Sequence, residues 1–511
     1  MQMNPSKHKL IQSAGLIGFL TLVSRILGML RDIASASVFG TSRIWDAFVL
    51  AFTIPNLLRR LIFEGALSSA FIPIFVEIAK TKGQEEAQRF ANQIGTALFI
   101  LVLLLTAGFY GSFLALKSFI VVSGKWTLAV DFLAYLFPYL FFLLAVALSM
   151  GILNSEKHFF TPALSPMILN LVWIFAVLIV CPLFSSDRVT QIKILCLLII
   201  VSGVIQFLIQ WFPLRSSHYH LKLVWDMSSP YLRKFLSLII PSILGFSVFN
   251  LNILIDLVFG YFLAEGSSSS LWYASRLMQF PLGLFAASLG TVLLPEYSHQ
   301  AAGNDRSLIR ETLSFSLRSV LLIIIPATVG LIVLAHPIVE MLFERGEFTA
   351  LSTAKTQGVL IAYTIGLWAY SGLQMMVSAF YGFQDMKTPV KAGAFSLTLH
   401  LILNFIFMQF MGEMGIALST AISGIVNFFV LLVLFYKRFS DFEAKRVLIF
   451  SLKIFGVSLF MGWIAWFVYR HCPYFPLPVS ILSGIAVYAA GCFIIRVHEM
   501  RRMFEWIFAR K

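Results

Sequence analysis

Residues 90–115 read FANQIGTALFILVLLLTAGFYGSFLA and contain no charged side chain. About 20 apolar residues in a helix cross a hydrocarbon core of roughly 30 Å, so this stretch predicts a membrane-spanning helix. Similar stretches recur along the chain, in which 59% of the 511 residues are hydrophobic and 12% are charged. Soluble proteins have about 25% charged residues. The sequence therefore excludes a water-soluble enzyme and predicts an all-α polytopic membrane protein.

Hydropathy, read with breaks at clusters of charge, glycine and proline, predicts about 14 membrane-spanning helices, here called spans 1 to 14. The joining loops are too short to form a folded domain. The apolar N-terminal run has no signal-peptide cleavage site and is predicted to stay in the protein as span 1. In order, the spans cover about 10–38, 46–78, 90–115, 127–152, 163–184, 189–212, 232–264, 268–298, 308–334, 352–380, 388–410, 413–437, 446–470 and 476–497.

The positions of lysine and arginine in the loops predict the orientation, because short basic loops are retained in the cytoplasm. Roughly 23 basic loop and tail residues fall on one side of the membrane and about 8 on the other. Both termini are therefore predicted to be cytoplasmic, in agreement with the even number of spans. Most of the net charge of +14 belongs to this cytoplasmic belt, so we expect no nucleic-acid partner.

The chain repeats itself at a nearly constant distance. Pro281 follows Pro55 by 226 positions, and Pro389 follows Pro162 by 227. This offset predicts two pseudo-symmetric six-helix lobes that enter the membrane in the same sense. Chance similarity between two apolar sequences is the alternative. The predicted domains are an N-terminal lobe at 1–222, a C-terminal lobe at 223–440, and two extra helices with a basic tail at 441–511.

Several basic residues lie inside the predicted spans. An arginine near the bilayer centre costs roughly 2.5–3.5 kcal/mol on insertion scales, so it needs an ion pair, water or an anionic ligand. Arg318 and Lys453 lie close enough to helix ends to reach the membrane interface with their long side chains. The five that do not are Arg25, Arg31, Arg59, Arg60 and Arg276.

Span 1 carries Arg25 and Arg31 on one polar face, together with Asp32, when its residues are projected at about 100° each. The opposite face is apolar, as expected for contact with lipid. A salt bridge with Asp32 satisfies one of these arginines and leaves the other for a water-filled cavity. Asp46, near the start of span 2, is a second acidic partner.

Span 2 contains Pro55 followed by Asn56, Arg59 and Arg60. The proline removes a backbone hydrogen bond and favours a bend. Arg60 and Glu64 are four positions apart and are expected to pair along the helix. No acid lies four positions from Arg59, so Arg59 and the neighbouring Asn56 are the better ligand candidates.

Span 8 adds Arg276, five residues before Pro281 and near the bend that corresponds to the one in span 2. Arginine suits a phosphate, because its planar guanidinium offers paired donors and loses water more readily than an ammonium group. Arginines on spans 1, 2 and 8 therefore predict an inward-facing cavity for an anion that bears phosphates.

No catalytic motif accompanies these cations. The sequence has no G-x-x-x-x-G-K, no H-E-x-x-H and no paired carboxylates in the loops, and its four cysteines lack metal-ligand spacing. We therefore expect a transporter without a cofactor or a confident metal site. Its energy would come from ion gradients, the membrane potential or consumption of the substrate.

Several motifs occur in a fixed order along spans 1 to 11. They are SRILG at 24–28, RD at 31–32, PNLLRR at 55–60, YASRL at 273–277, FERGEFT at 343–349 and DMKTP at 385–389. This ordered set resembles the MurJ/MviN family of lipid II flippases, within the multidrug/oligosaccharidyl-lipid/polysaccharide exporter superfamily.

The resemblance implies two six-helix lobes around a central cationic cavity, with a groove on the two extra helices for a lipid tail. It implies alternating access that moves lipid II, the undecaprenyl-diphosphate-linked peptidoglycan precursor, from the cytoplasmic to the outer leaflet of the bacterial cytoplasmic membrane. Gln279 stands where many relatives have an acid. Carried over by motif, the substrate-binding cations would be Arg25, Arg31, Arg59 and Arg276, with Asp46 and Glu64 as acidic partners.

Some relatives are sodium-coupled, with ligands on spans 7 and 11. Asp256 and Asn404 are the corresponding candidates here, whereas His400 is a poor sodium ligand, so sodium coupling stays open. Outward movement of a diphosphate across an inside-negative membrane is downhill by roughly 2.3 kcal/mol per charge per 100 mV, so the membrane potential is the other candidate drive. Membrane lipids and the proteins of cell-wall synthesis and division are the expected partners.

Three other functions compete with this interpretation. A related exporter of another polyprenyl-diphosphate glycan or of drugs shares the fold, although cationic drugs favour an acidic cavity. A membrane enzyme acting on a lipid-linked sugar needs sizeable outward loops with carboxylates or histidines. A non-transporting scaffold for cell-wall enzymes does not explain why the chain bears the cost of burying several arginines.

Overall fold

The structure is a computed structural model that describes residues 5–61, 67–119, 124–216, 219–220, 222–226, 228–303, 306–438, 443–497 and 499–500. The regular elements in these ranges are all helices, which confirms the predicted all-α class. The first helices are α1 (Pro5–Phe39), α2 (Arg43–Leu58), α3 (Leu67–Thr81), α4 (Gln84–Phe119), α5 (Gly124–Leu136), α6 (Tyr139–Ser155), α7 (Phe160–Phe175), α8 (Cys181–Phe184) and α9 (Arg188–Ser216). The others are α10 (Pro230–Phe262), α11 (Ser267–Pro281), α12 (Ala287–Ala302), α13 (Arg306–Val333), α14 (Ala335–Phe343), α15 (Ala350–Ile365), α16 (Leu367–Gly382), α17 (Lys387–Arg438), α18 (Ala444–His471) and α19 (Pro476–Ile494).

The protein is a multi-pass membrane protein. Among the described residues, seven helices are long and apolar enough to cross a membrane, or nine if each of two bent pairs counts as one span. Each predicted span coincides with one helix, with a broken series of helices, or, for spans 11 and 12, with the two parts of α17. The count of about 14 spans stays a prediction.

Span 2 was expected to be one helix from about 46 to 78. Helix α2 ends at Leu58, residues 59–61 are π-helical, and α3 covers Leu67–Thr81, while residues 62–66 lie outside the described residues. Helix α14 was not predicted at all. Hydropathy does not detect such changes, because it records the polarity of side chains and not the hydrogen bonding of the backbone.

Two further spans are bent. Helices α5 and α6 meet at 46° across a break at 137–138, and α15 and α16 meet at 41° across Gly366. Helix α17 is interrupted at Gly412, where φ is 57° and ψ is −135°. A left-handed φ of this kind favours glycine, which has no Cβ to clash with its own backbone.

The chain divides into two compact units. The first comprises Met1–Leu254 and Arg345–Phe348, and in it α1 packs against α7, α2 against α5, and α6 against α9. The second comprises Ile255–Glu344 and Thr349–Lys511, and in it α11 packs against α15, α12 against α16, and α13 against α18. The domain boundaries at 222 and 440 stay predictions.

The internal repeat is visible in the backbone. Lys157 and Gln384 are 227 positions apart, and both adopt a left-handed conformation, with φ of 63° and 60°. The next residue of each closes the same turn: the His158 N–H donates to Leu153 O at 2.8 Å, and the Asp385 N–H to Phe380 O at 3.0 Å. Helices α6 and α16 thus end in the same Schellman-type cap, which supports the pseudo-symmetry of the two halves.

The corresponding prolines also sit in matching surroundings. A π-helical turn follows Pro55 at 59–61, and another follows Pro281 at Leu282–Ala286. Single π-helical turns inside helices often occur at functional sites. Spans 2 and 8, which carry Arg59 and Arg276, are therefore both irregular near their arginines.

Candidate functional site

Arg31 lies at the centre of a buried polar cluster in the first unit. Its residue is 8% exposed, and its Nε and Nη2 donate to Asp32 Oδ1 at 3.0 and 2.8 Å. Its Nη1 donates to Asn170 Oδ1 at 3.1 Å, and its Cζ lies 4.7 Å from the centre of the Trp173 ring. We call Arg31, Asp32, Asn170 and Trp173 the Arg31 cluster. The predicted pairing of Asp32 with one of the two arginines of span 1 is thereby observed for Arg31.

The amphipathic pattern of α1 explains this burial. Asn170 Nδ2 donates to Ser24 O at 3.0 Å, and Trp173 Nε1 donates to Ser35 Oγ at 3.0 Å, so the polar face of α1 lies against α7. Leu22, Ile26 and Leu30 on the opposite face are exposed. The fold thus places the cation inside and the apolar face towards lipid.

Arg25 occupies the same polar face, two turns before Arg31. Its side chain is half-buried, and in the described part of the chain it has no hydrogen bond or ion pair. An arginine held partly out of water without an acidic partner is suited to contact with an anion.

Arg59 is oriented by a residue from its own helix. Its Nε and Nη2 donate to Asn56 Oδ1 at 3.2 and 2.9 Å, at the π-helical turn that ends α2. Arg60 is half-buried beside it. The expected partner of Arg60, Glu64, lies outside the described residues.

Asp46 is completely buried in the first turn of α2. Ser42 caps this helix by accepting a hydrogen bond from the Trp45 N–H at 3.3 Å. A carboxylate near a helix N-terminus is stabilised by the helix dipole. The pairing of Asp46 with an arginine stays a prediction.

Arg276 and Gln279 both lie on α11 in the second unit and are half-buried. The Arg276 Cζ lies 3.9 Å from the centre of the Trp272 ring, four residues earlier on the same helix. A guanidinium over an indole face is attracted by the negative face of the ring. Arg31 and Arg276 therefore each stack on a buried tryptophan within their own unit.

The second unit contains a buried cluster around Asp256, which is 3% exposed. Tyr363 OH donates to Asp256 Oδ2 at 2.8 Å, and the Thr420 hydroxyl lies 2.8 Å from the same oxygen. His400 Nε2 lies 2.8 Å from Oδ1, and Asn404 Nδ2 lies 3.4 Å from it. We call these five residues, from α10, α15 and α17, the Asp256 cluster.

The sequence interpretation missed four of these contacts. It did not single out Asn170 and Trp173 in the Arg31 cluster, or Tyr363 and Thr420 in the Asp256 cluster. Each lies more than 100 positions from its charged partner, so periodicity could not connect them. The signal that was present is a polar or indole side chain in the middle of an apolar span.

The Arg318 side chain is buried, and its Nη1 donates to Glu499 Oε1 at 2.6 Å. Lys453 is exposed. The position of both residues near the membrane interface stays a prediction. Within the described residues, no group of three or more His, Cys, Asp or Glu side chains is arranged to hold a metal ion.

Comparisons with known proteins give a consistent result. The family described as lipid II flippase MurJ matches residues 35–481. A probable lipid II flippase MurJ from Vibrio cholerae is 34% identical over 432 residues, which cover 82% of this chain and 81% of the relative. One from Rickettsia prowazekii is 31% identical over 514 residues, which cover 96% and 98%.

Solved structures agree with the sequence matches. A lipid II flippase MurJ in an inward closed conformation has a TM-score of 0.78 and 30% identity, covering 94% of this chain and 98% of its own. An inward-facing multidrug resistance MATE family transporter of the MOP superfamily has a TM-score of 0.66 at 16% identity, covering 82% and 96%. The second likeness concerns the fold alone.

Proposed function

We propose that this chain, which belongs to the MurJ family of lipid II flippases, carries lipid II from the cytoplasmic to the outer leaflet of the bacterial cytoplasmic membrane. The protein is a transporter and not an enzyme. Its substrate is then a diphosphate linked to a polyprenyl tail, and its work is to move that charged group through an apolar barrier. Alternating access meets this need by exposing one binding site to each side in turn.

The proposal depends on the hydrogen-bond donors of the buried Arg31 side chain. A guanidinium has five N–H donors, and three of those of Arg31 are used within the described residues, two by Asp32 and one by Asn170. The two that are left lie on a side chain fixed by an ion pair and an indole ring. Donors that are already oriented suit bidentate binding of a phosphate, because little side-chain entropy is lost when the ligand arrives.

In the proposal, Arg59 and Arg25 of the first unit bind the substrate together with Arg31, and Arg276 of the second unit is a further substrate-binding cation, as the resemblance implies. Asn56 aims the Arg59 guanidinium, and Trp272 supports that of Arg276. Several cations are needed, because a diphosphate carries more than one negative charge and each charge is costly to bring out of water. Asp32, Asp46, Glu64, Arg60 and Gln279 act as supporting groups that hold the cations or balance their charge.

The broken and bent spans supply a physical basis for alternating access. Spans 2 and 8 contain π-helical turns, and spans 4 and 10 are bent by 46° and 41°. A span that is already interrupted changes its direction without breaking a continuous row of backbone hydrogen bonds. Both termini lie in the cytoplasm in this proposal, and the membrane potential drives the anion outward. Proteins of cell-wall synthesis and division, which supply and use lipid II, are the proposed partners.

The test replaces the arginines one at a time in purified protein reconstituted into vesicles with labelled lipid II. We expect Arg31→Ala, Arg59→Ala and Arg276→Ala each to slow leaflet exchange at least about tenfold, since lost charge-assisted hydrogen bonds cost roughly 1.5–3 kcal/mol each. Arg31→Lys keeps the charge but loses the planar fork, and we expect it to be intermediate.

The matched control is Arg89→Ala, because Arg89 pairs with Asp226 at 3.4 Å on the exposed surface. It should leave exchange unchanged. Unchanged exchange in all three arginine variants, with normal insertion in the membrane, would contradict the proposed site.

A further inference from the structure

The Asp256 cluster has no part in substrate binding as proposed above, yet it is among the most deeply buried polar groups of the second unit. His400 and Asn404 are 0% exposed and Asp256 is 3% exposed. Burying a carboxylate is expensive unless hydrogen bonds or a cation compensate its charge. The family resemblance implies sodium as that cation.

The donor set around Asp256 does not fit a sodium ion. Hard cations take oxygen ligands that converge on one point, whereas an imidazole nitrogen suits transition metals. Here His400 Nε2 lies 2.8 Å from Asp256 Oδ1. The other carboxylate oxygen accepts from Tyr363 OH at 2.8 Å and is 2.8 Å from the Thr420 hydroxyl. Both oxygens of Asp256 are therefore already occupied by donors of the protein.

Asn404 supports the same conclusion. It turns its amide nitrogen, not its oxygen, towards Asp256 Oδ1, at 3.4 Å, and the same nitrogen lies 3.0 Å from His400 Nε2. Its Oδ1 is buried and accepts no hydrogen bond from the described residues. The oxygens of Asp256 and Asn404 consequently do not converge as they would around a cation.

We infer that the imidazole of His400 takes the place of a sodium ion beside Asp256, so that this chain holds the cluster together with its own side chain and binds no sodium there. The N–H of His400 provides the positive end of a dipole where a cation would otherwise sit. Tyr363, from α15, and Thr420, from the second part of α17, complete the shell of donors. A single residue, His400, thus decides the ion dependence of this unit.

The test measures sodium binding on the full chain, purified in detergent without lipid II. Binding of radioactive sodium and the melting temperature are compared in NaCl and in choline chloride at equal ionic strength. We expect the wild type to bind no sodium and to melt at the same temperature in both salts. Because no substrate is present, the result is independent of whether the chain flips lipid II.

The decisive variant is His400→Asn, which removes the imidazole donor and supplies an amide oxygen. We expect it to melt lower in choline chloride, to regain several degrees in NaCl, and to bind about one sodium ion per chain, because a ligand that binds only the folded state raises its stability. His400→Gln offers the same oxygen if His400→Asn does not fold. His336→Asn is the control, since His336 is exposed beside Glu340 at 3.8 Å.

Two results would overturn the inference. Sodium binding by the wild type, or a melting temperature that rises specifically with sodium, would show that His400 does not replace the ion. If the His400→Asn and His400→Gln proteins fold but neither bind sodium nor melt at a higher temperature in NaCl, the imidazole does not occupy a cation position.

Discussion

The Arg31 cluster and the Asp256 cluster occupy corresponding places in the two halves of the chain, but the first is centred on a buried cation and the second on a buried anion. His400 follows Trp173 by 227 positions, the offset that also separates Pro162 from Pro389. Trp173 supports a buried cation on α1, and His400 supports a buried anion on α10. The repeated scaffold has therefore been kept while the chemistry placed on it was inverted.

The two clusters also differ in how completely they are satisfied. Arg31 retains two N–H donors beyond its bonds to Asp32 and Asn170 within the described residues. Both oxygens of Asp256 are occupied by donors. A charged group with spare hydrogen-bonding capacity is suited to a ligand, and a saturated one is suited to holding helices together. The Arg31 cluster is thus suited to binding, and the Asp256 cluster to structural support.

The largest expected effect is that of Asp256→Ala. It leaves the donors of Tyr363, His400 and Thr420 buried without their acceptor, and removing one partner from a buried charged network costs about 3–5 kcal/mol. Unfolding by SDS in mixed micelles measures this loss, and Asp256→Asn should lose less because it keeps one oxygen. Asp226→Asn, in the exposed pair with Arg89, should change stability by at most about 1 kcal/mol. A similarly small loss for Asp256→Ala would break the distinction between the two clusters.

A second comparison concerns two glycines that share a positive φ. Gly346, in the first unit, has φ of +59°, and a Cβ there would lie 2.1 Å from Ser37 O. Gly412, in the second unit, has φ of +57° and nothing within 4 Å of a Cβ. Gly346→Ala should cost roughly 2–4 kcal/mol, since left-handed strain and overpacking add together. Gly412→Ala should cost only the backbone strain, about 1–3 kcal/mol. Equal losses in SDS unfolding would show that the contact with Ser37 is unimportant.

The smallest expected effect lies in the turn shared by the two halves. Asp385 accepts from the Thr388 N–H at 3.0 Å and from Arg438 at 2.9 Å, whereas the first half has exposed His158 at this position. Partial burial raises the pKa of Asp385, but the hydrogen bonds from Thr388 and the Arg438 charge outweigh it and hold the pKa below its ordinary value of 3.8. Its stabilising effect is therefore complete above the ordinary value and lost as pH falls through the lower, folded-state pKa.

Asp385→Asn should accordingly lower stability by about 0.5–1 kcal/mol at neutral pH, because the pair with Arg438 is partly exposed. The difference from the wild type should stay constant down to about pH 5 and close only in stronger acid. Melting temperatures measured across pH provide the test, with His158→Asn as the matched substitution. A difference that instead closes between about pH 6 and 8 would assign the effect to another group.

Much of the fold followed from the sequence, because the hydrocarbon barrier permits few ways to satisfy a backbone. Each predicted span coincides with helical structure, and the proline offset anticipated the matching turns at Lys157 and Gln384. What hydropathy did not show is where a span breaks. At residues 59–61 and at Gly366 the change lies in the backbone conformation, which hydropathy does not record.

The sequence predicted the charged residues of the site, but it did not predict the residues that contact them. The cost of burying an arginine pointed to Arg31, Arg59 and Arg276, and each is found partly or wholly buried. The cost of burying Arg31 does not identify its hydrogen-bond partner, because Asn170 lies 139 positions away in the sequence. Asp256 and Asn404 were named as sodium ligands from resemblance, and only the geometry revealed the place of His400 between them.

The segment Arg345–Phe348 has a consequence for biosynthesis. It belongs to the first compact unit, where the Glu347 N–H donates to Ser37 O at 2.9 Å and Arg188 pairs with Glu347 at 2.9 Å. About 90 residues of the second unit are made between Leu254 and this segment, which takes roughly 5–20 s at ordinary rates of synthesis. The N-terminal half therefore leaves the ribosome before the residues that make these contacts have been synthesised.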